Sequence, residues 1–188
     1  MATDPARRLI KTKVEKITYQ PIGIIHSPFK TLKNMPIQPS AAAGIRGSVE
    51  LMPQLSDGLD DLDGFSHIYL IYHLHRSKGY KLKVVPFLDD QLRGVFATRA
   101  PKRPNAIGLS VVKLIEKSSN VLIVQDIDIL DGTPLLDIKP FVPQMYNIAN
   151  CKTGWLEKTS DKLKNKRSDN RFCSRPTDSQ TGRNGVNN

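Results

Sequence analysis

The sequence predicts a mainly β fold: a small closed or partly open β-barrel with short helical segments and a basic, partly disordered C-terminal tail. Between about residues 18 and 142, short apolar runs alternate with Gly, Pro and Asp breaks, which is typical of short strands. The connections are too short for the crossover helix of a parallel β-α-β unit. No G-x-G-x-x-G motif and no G-x-x-x-x-G-K followed by Ser or Thr occurs, which argues against a doubly wound nucleotide-binding fold.

Eight runs rich in Val, Ile, Leu and aromatic residues are predicted to be strands. Eight strands in about 125 residues is the spacing of a barrel or a sandwich. Only 55–62 has room for a helix, of about two turns, and 150–164 is expected to close the domain as a short helix or strand. The predicted strands are 19–27, 47–52, 66–75, 81–87, 94–98, 110–116, 121–128 and 135–141.

The positive charge lies mainly at the two ends of the 188-residue chain. Of the formal net charge of +10, +3 falls on 1–16, +2 on 17–150 and +5 on 151–188. We therefore expect a basic N-terminal extension (1–16), a barrel domain (17–150), and a C-terminal closing segment with a basic tail (151–188) that is disordered in isolation from 165 onward. Basic ends on a nearly neutral body suit a polyanion such as RNA, although lysine-rich termini also serve solubility alone.

Two absences narrow the class of protein. No apolar run of about 18 residues and no secretory leader is evident, so a soluble, cytoplasmic protein is expected. Cys151 and Cys173 lie 22 residues apart without a C-x-x-C spacing, which indicates neither a disulfide framework nor a thiolate zinc site.

Three of the four histidines lie in one predicted strand, where His67, His73 and His75 share parity and would project from one face. A zinc site needs a further protein ligand, and none is evident in the sequence, so no metal is expected. At the end of the strand, His75 and the following Arg76 are placed to contact a ligand at the barrel rim.

The most distinctive stretch is 94–110, which leads from a strand into a loop with Arg99, Lys102 and Arg103, two prolines and an asparagine. The prolines limit the conformations of the loop and lower the entropy lost when it closes on a ligand. An arginine can grip a carboxylate or a phosphate with two parallel hydrogen bonds. A binding loop is favoured over a solvated surface turn.

A second loop joins two apolar strands through the turn dipeptide Asp131-Gly132, a common structural signal. In the strand that follows, Asp137 and Lys139 share parity and are expected to pair on one face.

Four motifs, at 22–28, 64–67, 94–110 and 130–140, occur in the order found in the TsaA-like, TrmO-type family of tRNA methyltransferases. The chain resembles that family over about 20 to 143, in its short form without an extra C-terminal domain. The resemblance implies a small β-barrel that binds S-adenosylmethionine, usually as a homodimer with sites near the subunit boundary. It also implies N6-methylation of the threonylcarbamoyl-modified adenosine on the 3′ side of the anticodon, in threonine tRNA.

Motif matching also implies a set of cofactor-binding residues. Two of them follow the first strand, two end the histidine strand, and the rest lie in the two loops described above. They are Gln38, Pro39, His75, Arg76, Arg99, Leu109, Asp131, Gly132, Thr133 and Pro134.

The catalytic assignments stay more open. The N6 lone pair is delocalised into the ring, so an acceptor for its proton would help, and Asp131 and Asn105 are the candidates. Arg103 is the candidate contact to the threonylcarbamoyl carboxylate or to a tRNA phosphate. Ala106 and Phe141 depart from the proline and tyrosine common in the family. Two alternatives remain: a methyltransferase with the same cofactor that acts on another RNA or a small molecule, and a non-catalytic RNA-binding barrel.

Overall fold

The structure, a computed structural model, describes residues 15–146, 151–158 and 166–172. Within these ranges it is built of strands and short 3₁₀ helices, and the predicted mainly β barrel is confirmed. Most of the predicted extension at 1–16 and the last part of the tail, 173–188 with Cys173, lie outside the described residues. The eight described strands are β1 (Gly23–His26), β2 (Arg46–Leu51), β3 (His67–His73), β4 (Lys83–Val84), β5 (Arg93–Gly94), β6 (Ile107–Ser118), β7 (Val121–Gln125) and β8 (Thr133–Pro140).

Six of these strands form a closed antiparallel barrel in the order β1-β2-β7-β6-β3-β8. The barrel closes where β8 pairs with β1, with Gly23 opposite Leu135. Closure leaves no unpaired strand edge in the barrel wall, so its backbone polar groups are satisfied within the sheet. The remaining strands, β4 and β5, pair with each other as a separate two-stranded sheet.

The core follows from strict alternation along the strands. In β3, Ile68, Leu70 and Tyr72 are buried while their neighbours face outward, as the period of two requires. Residues at matching positions of the other strands fill the same interior. The most deeply buried side chains of this core are Ile25, Val49, Ile68, Leu70, Val112, Leu122, Val124, Ile127, Ile129 and Leu135.

The predicted helix at 55–62 is wrong in type. The chain forms a 3₁₀ helix at Pro53–Leu59 and a second 3₁₀ turn at Leu62–Gly64. Gly58 weakens any helix across this stretch, and the positive φ of 62° at Asp61 interrupts it. The result is two tight turns that lay Leu59 and Leu62 on the barrel core.

Two predicted strands are much shorter than expected. Of 81–87 only Lys83–Val84 pairs, and 94–98 becomes the 3₁₀ turn Val95–Ala97. This turn is closed by Thr98, whose Oγ1 donates a hydrogen bond to the Val95 carbonyl at 2.9 Å. Such a side-chain bond to a nearby carbonyl competes with extended structure. The residues before the proline-rich loop therefore form a tight turn in place of the predicted strand.

Within the tail for which disorder is expected from 165 onward, residues 166–172 pack on the body of the protein. Arg167 forms an isolated antiparallel bridge with Pro36, and Ser168 exchanges backbone hydrogen bonds with the 34–35 loop. Upstream, a 3₁₀ helix at Gly154–Lys158 agrees with the expected short closing element. None of the helices in the described ranges is long and apolar enough to span a membrane.

Candidate functional site

A cavity of about 170 Å³, the Arg99 cavity, opens at the end of the barrel where β3 finishes and β8 begins. Five parts of the chain meet there, together with the C-terminal segment. Its floor is polar and its walls are largely apolar, which suits a small amphipathic ligand. The lining includes Leu32, Met35, Ile37, Tyr72, Leu74, His75, Arg76, Ser77, Phe87, Arg99, Pro101, Asp128, Thr133, Ser168, Asp169 and Phe172.

Arg99 is fixed at the wall of this cavity by its own loop. Its Nη2 donates a hydrogen bond to the carbonyl of Leu109 on β6. The loop is also tied to the turn after β3, because Ser77 Oγ donates to the Pro101 carbonyl at 2.9 Å. Arg99 is thus held between two elements with guanidinium donors to spare, as a binding arginine requires.

A buried polar chain that the sequence did not indicate forms the floor. Tyr72 and Ser110 lie with their oxygens 3.0 Å apart, and Ser110 Oγ donates to Asp128 Oδ1 at 2.7 Å. Burial raises the pKa of Asp128 to about 6, although the hydrogen bond from Ser110 and the charge of Arg99 oppose that rise. The same burial, together with the Asp128 charge, raises the pKa of Tyr72. The sequence holds only one weak signal of this chain: the carboxylate of Asp128 comes directly before two apolar residues, Ile129 and Leu130.

His75 and Thr133 lie side by side in the lining of the Arg99 cavity. Thr133 Oγ1 donates to the Leu130 carbonyl at 2.7 Å and lies 3.4 Å from His75 Nδ1. Burial lowers the pKa of His75, and the charges of Arg76 and His73 lower it further. The imidazole is therefore poised to act as a neutral hydrogen-bonding group. The parity argument fails at this residue, because β3 ends at His73 and the chain turns.

A neighbouring cavity of about 360 Å³, the Trp155 cavity, shares a wall with the first one. Gln38 Nε2 is buried here without a hydrogen-bond partner among the described residues. A buried donor left unpaired is costly unless a ligand satisfies it. The lining is Ile37, Gln38, Pro86, Phe87, Leu88, Phe96, Ala97, Thr98, Arg99, Ala100, Trp155, Leu156 and Phe172.

The C-terminal segment supplies walls to both cavities, although the sequence indicated only a closing element and a basic tail. Phe172 packs edge-on against Phe87, with ring centroids 5.0 Å apart. Arg171 donates to the Pro86 carbonyl at 2.6 Å, and Trp155 Nε1 donates to the Ala97 carbonyl at 2.8 Å. These contacts join distant parts of the chain, which the composition of an isolated segment cannot show.

Several residues expected at the site line neither cavity. Asp131 is instead the anchor of its own turn: Ser27 N donates to Oδ1 at 3.0 Å, and Lys30 Nζ lies 2.7 Å from Oδ2. The hydrogen bonds from Lys30 and Ser27 lower the pKa of Asp131. Gly132 completes this turn with a positive φ of 72°. The other expected cofactor-binding residues outside the two linings are Pro39, Leu109 and Pro134.

Arg103 and Asn105 also lie apart from the cavity floors. Arg103 Nη1 donates to the carbonyls of Val95 at 3.1 Å and Thr98 at 2.8 Å, which pins the tight turn before the loop. Asn105 is exposed, and its carbonyl accepts from Ile107 N at 2.8 Å. In the described ranges, no group of three or more His, Cys, Asp or Glu side chains is arranged to hold a metal ion.

Two predictions for the region outside the cavities, an ion pair and a turn, agree with the structure. Lys139 Nζ lies 2.8 Å from Asp137 Oδ2, and Asp131-Gly132 forms a turn. Phe141, one of the two departures from the family pattern, packs edge-on against Tyr69, with ring centroids 5.3 Å apart. Ala106 accepts a hydrogen bond from Leu74 N at 2.7 Å through its carbonyl, which a proline at that position would also supply.

Residues 24–147 match the family described as tRNA-methyltransferase O N-terminal domain. A probable S-adenosyl-L-methionine-binding protein of Pyrococcus abyssi is 58% identical over 84% of this chain and 86% of its own length. The tRNA (adenine(37)-N6)-methyltransferase of Escherichia coli is 37% identical over 74% of this chain and 63% of its own length. The crystal structure of TrmO from Pseudomonas aeruginosa superposes with a TM-score of 0.63 at 38% identity, covering 75% of this chain and 63% of that one.

The chain thus spans less than two thirds of the Escherichia coli and Pseudomonas aeruginosa proteins. The matched residues contain all eight described strands except the first residue of β1, and they contain Arg99, Asp128 and Thr133. The chain belongs to the tRNA-methyltransferase O N-terminal domain family, and the resemblance carried by the four sequence motifs is confirmed.

Proposed function

We propose that the protein is an S-adenosylmethionine-dependent methyltransferase that acts on N6 of the adenosine on the 3′ side of the anticodon in tRNA. The observation that carries the proposal is the pair of adjoining cavities with Arg99 in their common wall. A group transfer needs donor and acceptor side by side, and two cavities that share a wall meet that need. The names of the Pyrococcus and Escherichia coli relatives support the cofactor and the reaction.

The residues present fit the cofactor. S-adenosylmethionine supplies an activated methyl group when it is bound. In the Arg99 cavity, Arg99 offers donors to a carboxylate and Asp128 offers an acceptor to a cation, while Thr133 and His75 offer hydrogen bonds to hydroxyls. The unpartnered amide of Gln38 adds a donor at the neighbouring cavity. These groups bind and orient, and no metal is required for that role.

The Trp155 cavity is proposed to receive the acceptor base. Its walls carry the aromatic rings of Phe96, Trp155 and Phe172, and unstacked bases of a single-stranded loop stack on such rings. The anticodon loop is single-stranded, so a base can enter without the opening of a duplex. Exposed Phe96, with 73% of its surface accessible, lies at the entrance with Arg103 over its ring.

We propose the threonylcarbamoyl-modified adenosine of threonine tRNA as the preferred substrate. The modification adds a carboxylate, and two cations lie over aromatic rings of the Trp155 cavity: Arg103 over Phe96, and Arg93, which also pairs with Asp89, over Trp155. The basic excess at both ends of the chain supports contact with tRNA phosphates. A cytoplasmic location would fit this substrate.

A homodimer is also proposed. Beside Arg99 the surface carries the exposed apolar side chains of Phe96, Ile107 and Leu109, of which 73%, 39% and 45% is accessible. A second copy would cover them and would bring Leu109, which lines neither cavity of one copy, into a shared site. Sedimentation of wild type and Ile107→Glu tests this, because a monomeric wild type would contradict it.

The first experiment is calorimetric titration of S-adenosylmethionine into wild type, Arg99→Ala and Lys102→Ala. Lys102 is the matched control. It belongs to the same loop as Arg99 but lines neither cavity, and its Nζ donates to the exposed carbonyl of Lys78. Saturable binding that Arg99→Ala loses and Lys102→Ala keeps is expected. Absence of binding to a folded wild-type sample would overturn the proposal and favour the non-catalytic RNA-binding barrel.

The second experiment incubates the protein and cofactor with threonine tRNA that carries or lacks the threonylcarbamoyl group, followed by mass spectrometry of the nucleosides. A methylated product on the modified tRNA alone is expected. Methylation of both tRNAs would remove the proposed preference and keep the reaction. Methylation of a metabolite extract with both tRNAs unlabelled would instead support the small-molecule alternative.

A further inference from the structure

The carboxylate of Asp128 lies at the floor of the Arg99 cavity. It lies between Ile127 and Ile129, of which 0% and 2% is accessible, in the segment that joins β7 to β8. Ser110 Oγ is its one side-chain hydrogen-bond donor among the described residues. Neither Arg99 nor any other described cation lies within 4.0 Å of it, so it forms no salt bridge in these ranges.

A carboxylate accepts about four hydrogen bonds, and Ser110 and the backbone N–H of Asp128 itself use only two of those positions. An anion in such a place is unfavourable unless a cation or further donors reach it. The Tyr72–Ser110 pair behind it fixes its orientation, since the two oxygens lie 3.0 Å apart. Asp128 is therefore rigidly aimed at a cavity that also holds Arg99, and its remaining positions are open to a ligand.

The lining carries the cations Arg76 and Arg99 and the carboxylates of Asp128 and Asp169, of which Asp169 is already paired with Arg171. The opposite charges of Arg99 and Asp128 therefore select the class of ligand. A phosphate would be attracted by Arg99 and Arg76 and repelled by Asp128. An α-amino acid carries a carboxylate and an ammonium on the same carbon, so it can satisfy the arginine and the aspartate together. Arg99 and Asp128 are each held by a hydrogen bond from within the protein, so the pair is pre-organised for this group and little conformational entropy is lost on binding.

Resting on the proposed function, we propose that Asp128 binds the α-ammonium group of the methyl donor while Arg99 binds its carboxylate. Asp128 is then a cofactor-binding residue, and neither it nor Ser110 belongs to the set that the motifs implied. Ser110 is a positioning residue, because it acts by holding Asp128. The assignment also explains why the floor of this cavity is anionic in a protein whose partner is a polyanion.

The test uses three probes in calorimetry: S-adenosylmethionine, S-adenosylhomocysteine and methylthioadenosine. The second lacks the sulfonium charge, and the third lacks the whole amino-acid part. Asp128→Asn keeps the shape and can still accept from Ser110, so it removes mainly the charge. The control is Asp137→Asn, which removes a carboxylate that pairs with Lys139 on the surface of β8.

We expect Asp128→Asn to weaken binding of the first two probes equally, by about tenfold or more, and to leave methylthioadenosine within about twofold. Asp137→Asn should change none of the three affinities. A structural role for Asp128 would weaken all three probes alike. A loss confined to S-adenosylmethionine would place the contact at the sulfonium instead, and unchanged affinities with slower methyl transfer would make Asp128 a proton acceptor. Each of those results would overturn the proposal.

The proposed function and this inference fail separately. If wild type binds none of the probes, the methyltransferase proposal itself fails. If wild type binds S-adenosylmethionine and Asp128→Asn binds it equally well, only the ammonium contact fails. Because asparagine at 128 could disturb the fold, thermal unfolding of each variant is measured first, and Ser110→Ala is titrated as a second variant. It should weaken the same two probes by a smaller factor.

Discussion

Gly108 on β6 lies directly against the ring of Tyr72 on β3: a Cβ at Gly108 would fall within 3.0 Å of Cδ2, Cε2 and Cζ of that ring. The two residues are partners across the β3–β6 ladder. Only a residue without a side chain leaves the space in which the Tyr72 hydroxyl reaches Ser110. The glycine therefore supports the floor of the Arg99 cavity from outside the set of lining residues.

Gly108→Ala is expected to lower the free energy of unfolding by about 1–3 kcal/mol, because the added methyl forces the Tyr72 ring from its place. Urea denaturation of the variant measures this. Gly58→Ala is the matched control, since nothing lies within 4 Å of a Cβ there. Equal stability of the two variants would contradict the close packing.

Ser168→Ala is expected to release the C-terminal segment. The hydroxyl accepts from Met35 N at 2.8 Å and donates to the Leu32 carbonyl at 2.6 Å, so the variant leaves two backbone groups without this partner. Amide hydrogen exchange at Met35 should become faster by about tenfold, which corresponds to about 1.4 kcal/mol. Ser40→Ala, an exposed serine of the same region, should leave that rate unchanged. Unaltered protection in Ser168→Ala would show that the segment is held elsewhere.

Phe172→Leu is expected to weaken S-adenosylmethionine binding by several-fold while the protein stays folded. The ring lines both cavities and packs edge-on against Phe87, and leucine keeps apolar volume without the aromatic face. Calorimetry measures the affinity. Leu82→Ala, an exposed side chain outside both cavities, is the control. Wild-type affinity in Phe172→Leu would remove the C-terminal segment from the site.

Asp128 is expected to make stability fall as the pH rises. Its pKa in the folded protein, about 6, lies above the usual 3.8, so the folded state holds the proton more tightly than the unfolded state. The unfavourable contribution is absent below pH 4 and reaches about 3 kcal/mol above pH 6. Relative to wild type, Asp128→Asn should therefore gain more stability at pH 7.5 than at pH 4.5. A constant difference between those pH values, in urea denaturation, would contradict this.

Asp131 is expected to make stability rise with pH, the opposite of the effect of Asp128. Lys30 and Ser27 lower its pKa, so its contribution to stability is present above the usual range of a carboxyl and is lost as the pH falls through the lowered value. Asp131→Asn should destabilise the protein at pH 7.5 by about 1 kcal/mol, since the pair with Lys30 is partly exposed. The difference from wild type should vanish in strong acid. A double-mutant cycle with Lys30→Met separates the ion pair from the bond to Ser27 N.

The alternation of apolar residues was enough to predict the strands in their order, and their spacing without crossover helices predicted a barrel or a sandwich. The family resemblance then favoured the barrel. These properties depend on neighbours along the chain, because burial of one face of a strand imposes a period of two. The motif at 94–110 likewise drew attention to Arg99, which lines both cavities, and the acidic turn was predicted at Asp131. The role of Asp131 in holding this turn was not predicted, because only the fold brings Lys30 and Ser27 to its carboxylate.

The tertiary structure alone decided which groups meet. Asp128 lies 18 residues from Ser110, and the contact between them requires β6 and the segment after β7 to meet at one end of the barrel. Phe172 reaches Phe87 across 85 residues, and composition predicted disorder for that part of the chain. The sequence by itself determined the fold class and the family, since both rest on local patterns. The cavity floor and the C-terminal walls depend on long-range packing, whose energy is spread over contacts that no single segment contains.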